Sequence, residues 1–181
     1  MSMNIVNWIE AAERLKAGEV GIIPTDTIYG IVASAWSTHA VERIYELKKR
    51  DSSKPGTILS TVDSLSEFNL AQSQLARAMT YWPGPVSVVM DVDDHEHLHR
   101  GMASLAIRVP RHDDLQALLR QVGPLVSSSA NHSGETPATN ITLAESYFAD
   151  QVDFYVDGGD LVGKPSTIVS VLGEVDDVLR G

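Results

Sequence analysis

Residues 20–30 read Val20-Gly21-Ile22-Ile23-Pro24-Thr25-Asp26-Thr27-Ile28-Tyr29-Gly30. The short apolar run closed by a proline, which has no N–H for a ladder, predicts a strand over 20–23. Residues 25–27 are hydroxylated and acidic, and Gly30 permits close backbone approach. In open α/β sheets ligands bind where a strand empties into a polar loop. The same residues also suit an ordinary turn with an Asx or Thr helix cap, so both readings of the loop stand.

Working outward, apolar periodicity divides the chain into alternating elements. Ile5, Trp8, Ile9, Ala12 and Leu15 fall three or four apart and predict an opening helix stopped by Gly18. Val41, Ile44, Tyr45 and Leu47 predict a second helix ending in Lys48-Lys49-Arg50. Further helices are expected at 75–81, around Leu115, Leu118 and Leu119, and at 143–148. Strands are expected at 57–61, 85–91, 105–109, 125–128, 154–156, 167–171 and 177–179. Alternation of the two kinds indicates α/β, and the back-to-back strands indicate a mixed sheet.

The chain has 181 residues, with 14 basic and 24 acidic side chains, a net charge of −10, and no cysteine. That length predicts one domain over 1–181, with a core that needs no disulfide or structural metal. The absence of cysteine excludes disulfide scaffolds, thiolate zinc sites, iron–sulfur clusters and a cysteine nucleophile. The acidic balance argues against non-specific nucleic-acid binding, which relies on clustered cations. The first residues carry neither a basic n-region nor an apolar h-region, and no run is long enough to span a bilayer. A soluble cytoplasmic protein with no membrane partner is expected.

Three more stretches place chemistry at element ends. Lys48-Lys49-Arg50-Asp51-Ser52-Ser53-Lys54 puts four cations at a helix C-terminus. The macrodipole favours cations there, and a polyphosphate clamp uses the same residues. Ser127-Ser128-Ser129-Ala130-Asn131-His132-Ser133-Gly134 follows a strand and offers hydroxyl and backbone donors to an anion, or a solvent loop with Ser turns. It is not a P-loop, because no Gly-Lys-Ser/Thr follows. Lys164-Pro165-Ser166-Thr167-Ile168-Val169 with the later Arg180 reads alone as a strand start. His95, His97 and His99 alternate and would share one face of a strand, but their polar surroundings predict a solvated loop over a metal site. Ser129 lacks a Gly-x-Ser-x-Gly elbow, which argues against a hydrolase triad.

Together these stretches resemble the YrdC-like family, the threonylcarbamoyl-AMP synthases, from about Glu19 to Arg180. The family's Pro-Thr-(Asp/Glu)-Thr-x-Tyr-Gly matches residues 24–30, and its Lys-x-Arg matches Lys48-Lys49-Arg50. Trp82-Pro83-Gly84-Pro85, the arginine-bearing strand at 105–110, Ser129-Ala130-Asn131, Ser166-Thr167-Ile168-Val169 and Arg180 complete the series. The resemblance implies a twisted mixed α/β sheet with helices on its faces around a large concave cavity. It also implies condensation of L-threonine, bicarbonate or carbon dioxide, and ATP into threonylcarbamoyl-AMP and pyrophosphate. A downstream transferase complex would then modify tRNA; direct tRNA binding is expected to be weak because of the acidic balance of this chain. By motif, Lys48, Arg50, Ser129, Asn131 and Arg180 would contact ATP, with Lys48 and Arg50 as the catalytic cations. Thr27, Arg108 and Ser166 would contact threonine, and Mg²⁺ would arrive on the ATP phosphates.

The chain departs from the pattern where Asp51 replaces the usual proline, and where Gly56 loosens the expected strand entry. With Gly181 as its last residue, the short family form is expected, without the extra C-terminal domain of the long form. The alternatives are a non-catalytic RNA- or nucleotide-binding protein of the same fold, and a carbamoyl-adenylate domain acting on another acceptor. Charge is uneven: residues 1–56 hold seven basic and seven acidic side chains, residues 135–181 two and nine. The acidity therefore lies away, in sequence, from the proposed clamp.

Overall fold

The computed structural model describes residues 4–49, 51 and 53–181. Among the described residues nine strands form one sheet in the order β7-β1-β2-β6-β3-β5-β4-β8-β9. They are β1 (Gly21–Ile23), β2 (Gly30–Ser34), β3 (Thr57–Leu59), β4 (Val86–Asp91), β5 (Ser104–Arg108), β6 (Leu125–Ser129), β7 (Phe154–Tyr155), β8 (Thr167–Ser170) and β9 (Asp177–Arg180). Three pairings are parallel (β1 with β7, β3 with β5, β4 with β8) and the other five are antiparallel. The sheet is thus mixed, as the back-to-back strands require.

The helices are α1 (Trp8–Lys16), α2 (Thr38–Lys48), α3 (Gln72–Ala78), α4 (Glu96–His99), α5 (Asp113–Val122) and α6 (Ile141–Phe148). Side chains fix where several begin. Asn7 accepts from Glu10 N at α1, Ser37 from Ala40 N at α2, and Asn140 from Leu143 N at α6, each satisfying an orphan donor. At the other end of α2, Lys49 turns left-handed with φ 50° and stops the helix.

Because strand side chains alternate, the sheet has two apolar faces. Ile22, Ile31, Ile58, Ile107 and Val126 face one core with Val41, Ile44 and Tyr45 of α2 and Ala144 and Phe148 of α6. Their neighbours Ile23, Val32, Leu59 and Leu125 face the other, under Ala11, Ala12 and Leu15 of α1 and Leu115, Leu118 and Leu119 of α5. Among the described residues no helix is long and apolar enough to cross a membrane.

Four expectations are corrected. The opening helix starts at Trp8, because Ile5 bridges Tyr155 and Val6 N bonds Tyr155 O, which draws that segment to the sheet edge. Gly30 begins β2 instead of ending a loop. The histidine segment is a helical turn, not a solvated loop: residue 99 is buried, and His99 Nδ1 accepts from Gly101 N and Ala103 N. Gly56 does not loosen the entry to β3. Its N–H bonds the Tyr45 hydroxyl at 2.9 Å, and a Cβ there would meet Val126 Cγ1 at 2.8 Å.

Candidate active site

The site lies on the face that α1 and α5 cover, at the end they leave open. Register pairs Leu59 with Arg108 and Leu125, and Thr57 with Ala106 and Ser127. Residues opposite each other, or two apart, share a face. Beyond Leu59 and Leu125 that face therefore continues as Thr57, Ala106, Ser127 and Ser129. Gly30 lies opposite Ser129, and Ile168 opposite Arg180. These residues line a cleft that encloses about 160 Å³ and opens to solvent. Gly30 leaves room there, since a Cβ would meet Ser127 Oγ at 2.9 Å.

The loop after β1 is organised by hydroxyls. Thr25 Oγ1 gives its one proton to Ile28 O at 2.7 Å and accepts from Thr27 N at 3.1 Å. Its 2.9 Å contact with Thr27 Oγ1 must then be donated by Thr27. That leaves the Thr27 oxygen as an acceptor, and Arg108 Nη1 donates to it at 3.0 Å. Arg108, the last residue of β5, has a buried side chain whose Nε makes no hydrogen bond. Burial depresses its pKa, Asp26 opposes that effect, and Arg180 adds to it. A guanidinium starts so high that it stays charged at neutral pH.

On the other side of the cleft, Ser166 Oγ shares a 3.0 Å hydrogen bond with Ser87 Oγ. Arg180 bonds Ser166 O through Nε at 3.2 Å and Nη2 at 2.7 Å. The loop after β6 is stitched to the loop after β1: Ala130 N bonds Tyr29 O, and Tyr29 N bonds Ala138 O. Asn131 is buried. Its Nδ2 donates to His132 O and Glu135 O, while Oδ1 has no partner. Lys48 is buried as well, its ammonium donating to Ser129 O and, at 2.7 Å, to Asn131 O. Ser133 N bonds Lys48 O, so both ends of Lys48 hold this loop.

Thr27, Arg108, Ser129, Ser166 and Arg180 thus meet on one cleft, as their motifs suggest. Lys48 and Asn131 stand behind Ser129, at the back of its loop. Arg50 lies outside the described residues. Asp51 Oδ1 accepts from Ser53 N and Ser53 Oγ. Sequence motifs alone do not single out Thr57, Ala106 or Ile168. For Ala106 and Ile168 the signal is the period of two that links them to Arg108 and Ser166, while Thr57 is reached through its register with Ala106.

The lining holds hydroxyls, two arginines and apolar groups, with no carboxylate among the described residues. Such a surface suits a polyanion and an amino-acid carboxylate.

A family model for Sua5, YciO and YrdC proteins, described as telomere recombination, matches residues 13–181. The chain belongs to the Sua5/YciO/YrdC family. A relative from Marinobacter nauticus named threonylcarbamoyl-AMP synthase is 36% identical over 172 residues, covering 90% of each chain. One of the same name from Bacillus subtilis is 30% identical over 188 residues, covering 99% of this chain and 54% of its own. The solved structure of P. abyssi Sua5 complexed with L-threonine superposes with a TM-score of 0.89 at 26% identity. It is matched over 98% of this chain, which spans 56% of that longer one. The family resemblance and the mixed twisted α/β fold read from the sequence both hold.

Proposed function

We propose that this protein is an L-threonylcarbamoyladenylate synthase, a nucleotidyltransferase. It condenses L-threonine, bicarbonate or carbon dioxide, and ATP to threonylcarbamoyl-AMP and pyrophosphate. The carrying observation is Arg108: a buried guanidinium braced on the Thr27 hydroxyl, with donors to spare, in a hydroxyl-lined cleft. The relatives' name and the threonine complex of P. abyssi Sua5 support the same assignment.

Threonine takes the Arg108 corner. Its carboxylate meets the guanidinium fork, and the hydroxyls of Thr27 and Ser166 read its polar groups. The substrate amine adds to carbon dioxide and loses a proton, giving a carbamate. A carbamate oxygen then attacks the α-phosphorus, and the bond to the β-phosphate oxygen breaks to release pyrophosphate. No protein nucleophile takes part. The protein contributes alignment and cancellation of charge on phosphate oxygens.

ATP lies toward Ser129 and Arg180. Arg180 supplies a cation at the cleft, and Ser129 a hydroxyl. Asn131 holds the loop that presents Ser129, and Lys48 clamps that loop through Ser129 O and Asn131 O. In this geometry Lys48 acts on the triphosphate largely through the loop, and the family role of Arg50 completes the cation set. Mg²⁺ enters on the triphosphate as part of the substrate. A lining of hydroxyls and cations fits a metal held by phosphate and water. The product passes to a transferase complex acting on tRNA.

The test is pyrophosphate release by purified protein, with threonine and bicarbonate each left out in turn. Release that requires both supports the assignment. Release that ignores either one, or none at all, rejects it.

A further inference from the structure

If Arg108 receives the substrate carboxylate, little holds its fork in place beforehand. The guanidinium has five donors, of which one is spent on Thr27 Oγ1, while buried Nε has no partner. Among the described residues one carboxylate comes within ion-pair distance. Asp26 Oδ1 lies 3.6 Å from Arg108 Nη2, and both side chains are 6% exposed. That separation is too long for a hydrogen bond and short enough for Coulomb attraction between two largely buried side chains. Oδ1 itself makes no hydrogen bond. Oδ2 is occupied, accepting from Arg111 N at 2.9 Å just past the end of β5. Arg111 in turn reaches Pro83 O. Asp26 does not line the cleft; it stands behind the residue that does.

A buried guanidinium stripped of its anion is strongly disfavoured and relaxes by turning toward water. The cleft mouth offers that water, and Arg180 repels a neighbouring cation instead of anchoring it. A fork that has turned away must be recovered and desolvated before it can grip a carboxylate.

We propose that Asp26 is a positioning residue for the amino-acid substrate: its buried charge holds the Arg108 fork in register before the carboxylate arrives. The proposal rests on the assignment of threonine to the Arg108 corner.

Two substitutions separate this charge role from a simple tether to Arg111. Asp26→Asn keeps the size and an acceptor for Arg111 N but removes the charge. Asp26→Glu keeps the charge but changes the reach. The charge role predicts that Asp26→Asn raises the KM for threonine at least tenfold, with the KM for ATP within twofold of wild type. It also predicts that Asp26→Glu recovers most of the loss. An Asn variant that matches wild type, or is less impaired than the Glu variant, overturns the proposal. So does a variant that binds threonine more tightly.

A second readout needs no turnover: ¹⁵N NMR of arginine side chains in the ligand-free protein. Arg108 should give resolved, slowly exchanging guanidinium signals in wild type and Asp26→Glu, averaged out in Asp26→Asn. Signals already averaged in wild type, or unchanged in the Asn variant, overturn the proposal, and the wild-type spectrum decides even if that variant does not fold. If wild type releases no threonine-dependent pyrophosphate, the synthase reading fails while the spectra still judge the Asp26–Arg108 pair.

Discussion

Thr27 donates to Thr25 and accepts from Arg108, so its oxygen is the hinge between the loop after β1 and the end of β5. Replacing it with valine keeps the branched shape and removes both bonds. A buried donor left without a partner costs about 1–3 kcal/mol. Thr27→Val should therefore raise the KM for threonine roughly tenfold or more while leaving the KM for ATP near wild type, read from pyrophosphate release. An equal rise in both constants would point to general disruption. Thr27, Ser129, Ser166 and Arg108 were legible in the sequence because each is a polar residue at an element end, within a recognisable motif. Asp26 was legible as a member of the loop but not as the partner of Arg108. That pairing joins positions 82 apart in the chain, and only the register of the folded sheet brings them together.

At the scale of elements, alternation along β3, β5 and β6 encodes both the packed half of the sheet face and its open half. Leu59 and Leu125 disappear under α5, while Thr57, Ala106 and Ser127 remain for the cleft. The strands are readable for that reason. β2 is not, because its Gly30 also closes a polar, loop-like motif. Leu118 on α5 is buried, so Leu118→Ala should lower unfolding free energy by about 2–5 kcal/mol in urea melts. The segment between β7 and β8 crosses the loop after β1 at Gly163. A Cβ at Gly163 would lie 2.0 Å from Thr27 O and 2.8 Å from its carbonyl carbon. Gly163→Ala must displace one chain or the other, and should weaken threonine binding severalfold in calorimetry. Gly173→Ala, whose Cβ would meet nothing closer than Val175 O at 3.8 Å, should leave it unchanged. Between α2 and α4, Arg100 donates twice to Glu42 and holds its carboxyl below the usual range. A lowered folded-state pKa adds stability that is present above the unfolded value and lost as pH falls through the folded one. The melting-temperature gap between wild type and Glu42→Gln should thus be open at pH 7 and close in acid below the ordinary glutamate range.

Across the whole molecule the net charge of −10 and the cationic cleft coexist, because short-range fields follow local groups and not the total. The acidic side chains concentrate in residues 135–181, yet that same stretch contributes Ser166 and Arg180 to the cleft. Free tRNA should bind weakly and with a shallow salt dependence. Filter binding at roughly 50 and 200 mM salt checks this, since each phosphate contact steepens the slope. Tight, steeply salt-sensitive binding would contradict it. The sheet order has one more consequence, for synthesis on the ribosome. Thr27 and Arg180 lie 153 residues apart in the chain, and β4 must recruit β8 and β9 before the cleft has its far wall. A growing chain emerges N-terminus first, and contacts between distant positions form late. The nascent protein can fold its first strands and helices while its wall of Ser166 and Arg180 is still unmade. The cleft is therefore complete only once β8 and β9 have docked.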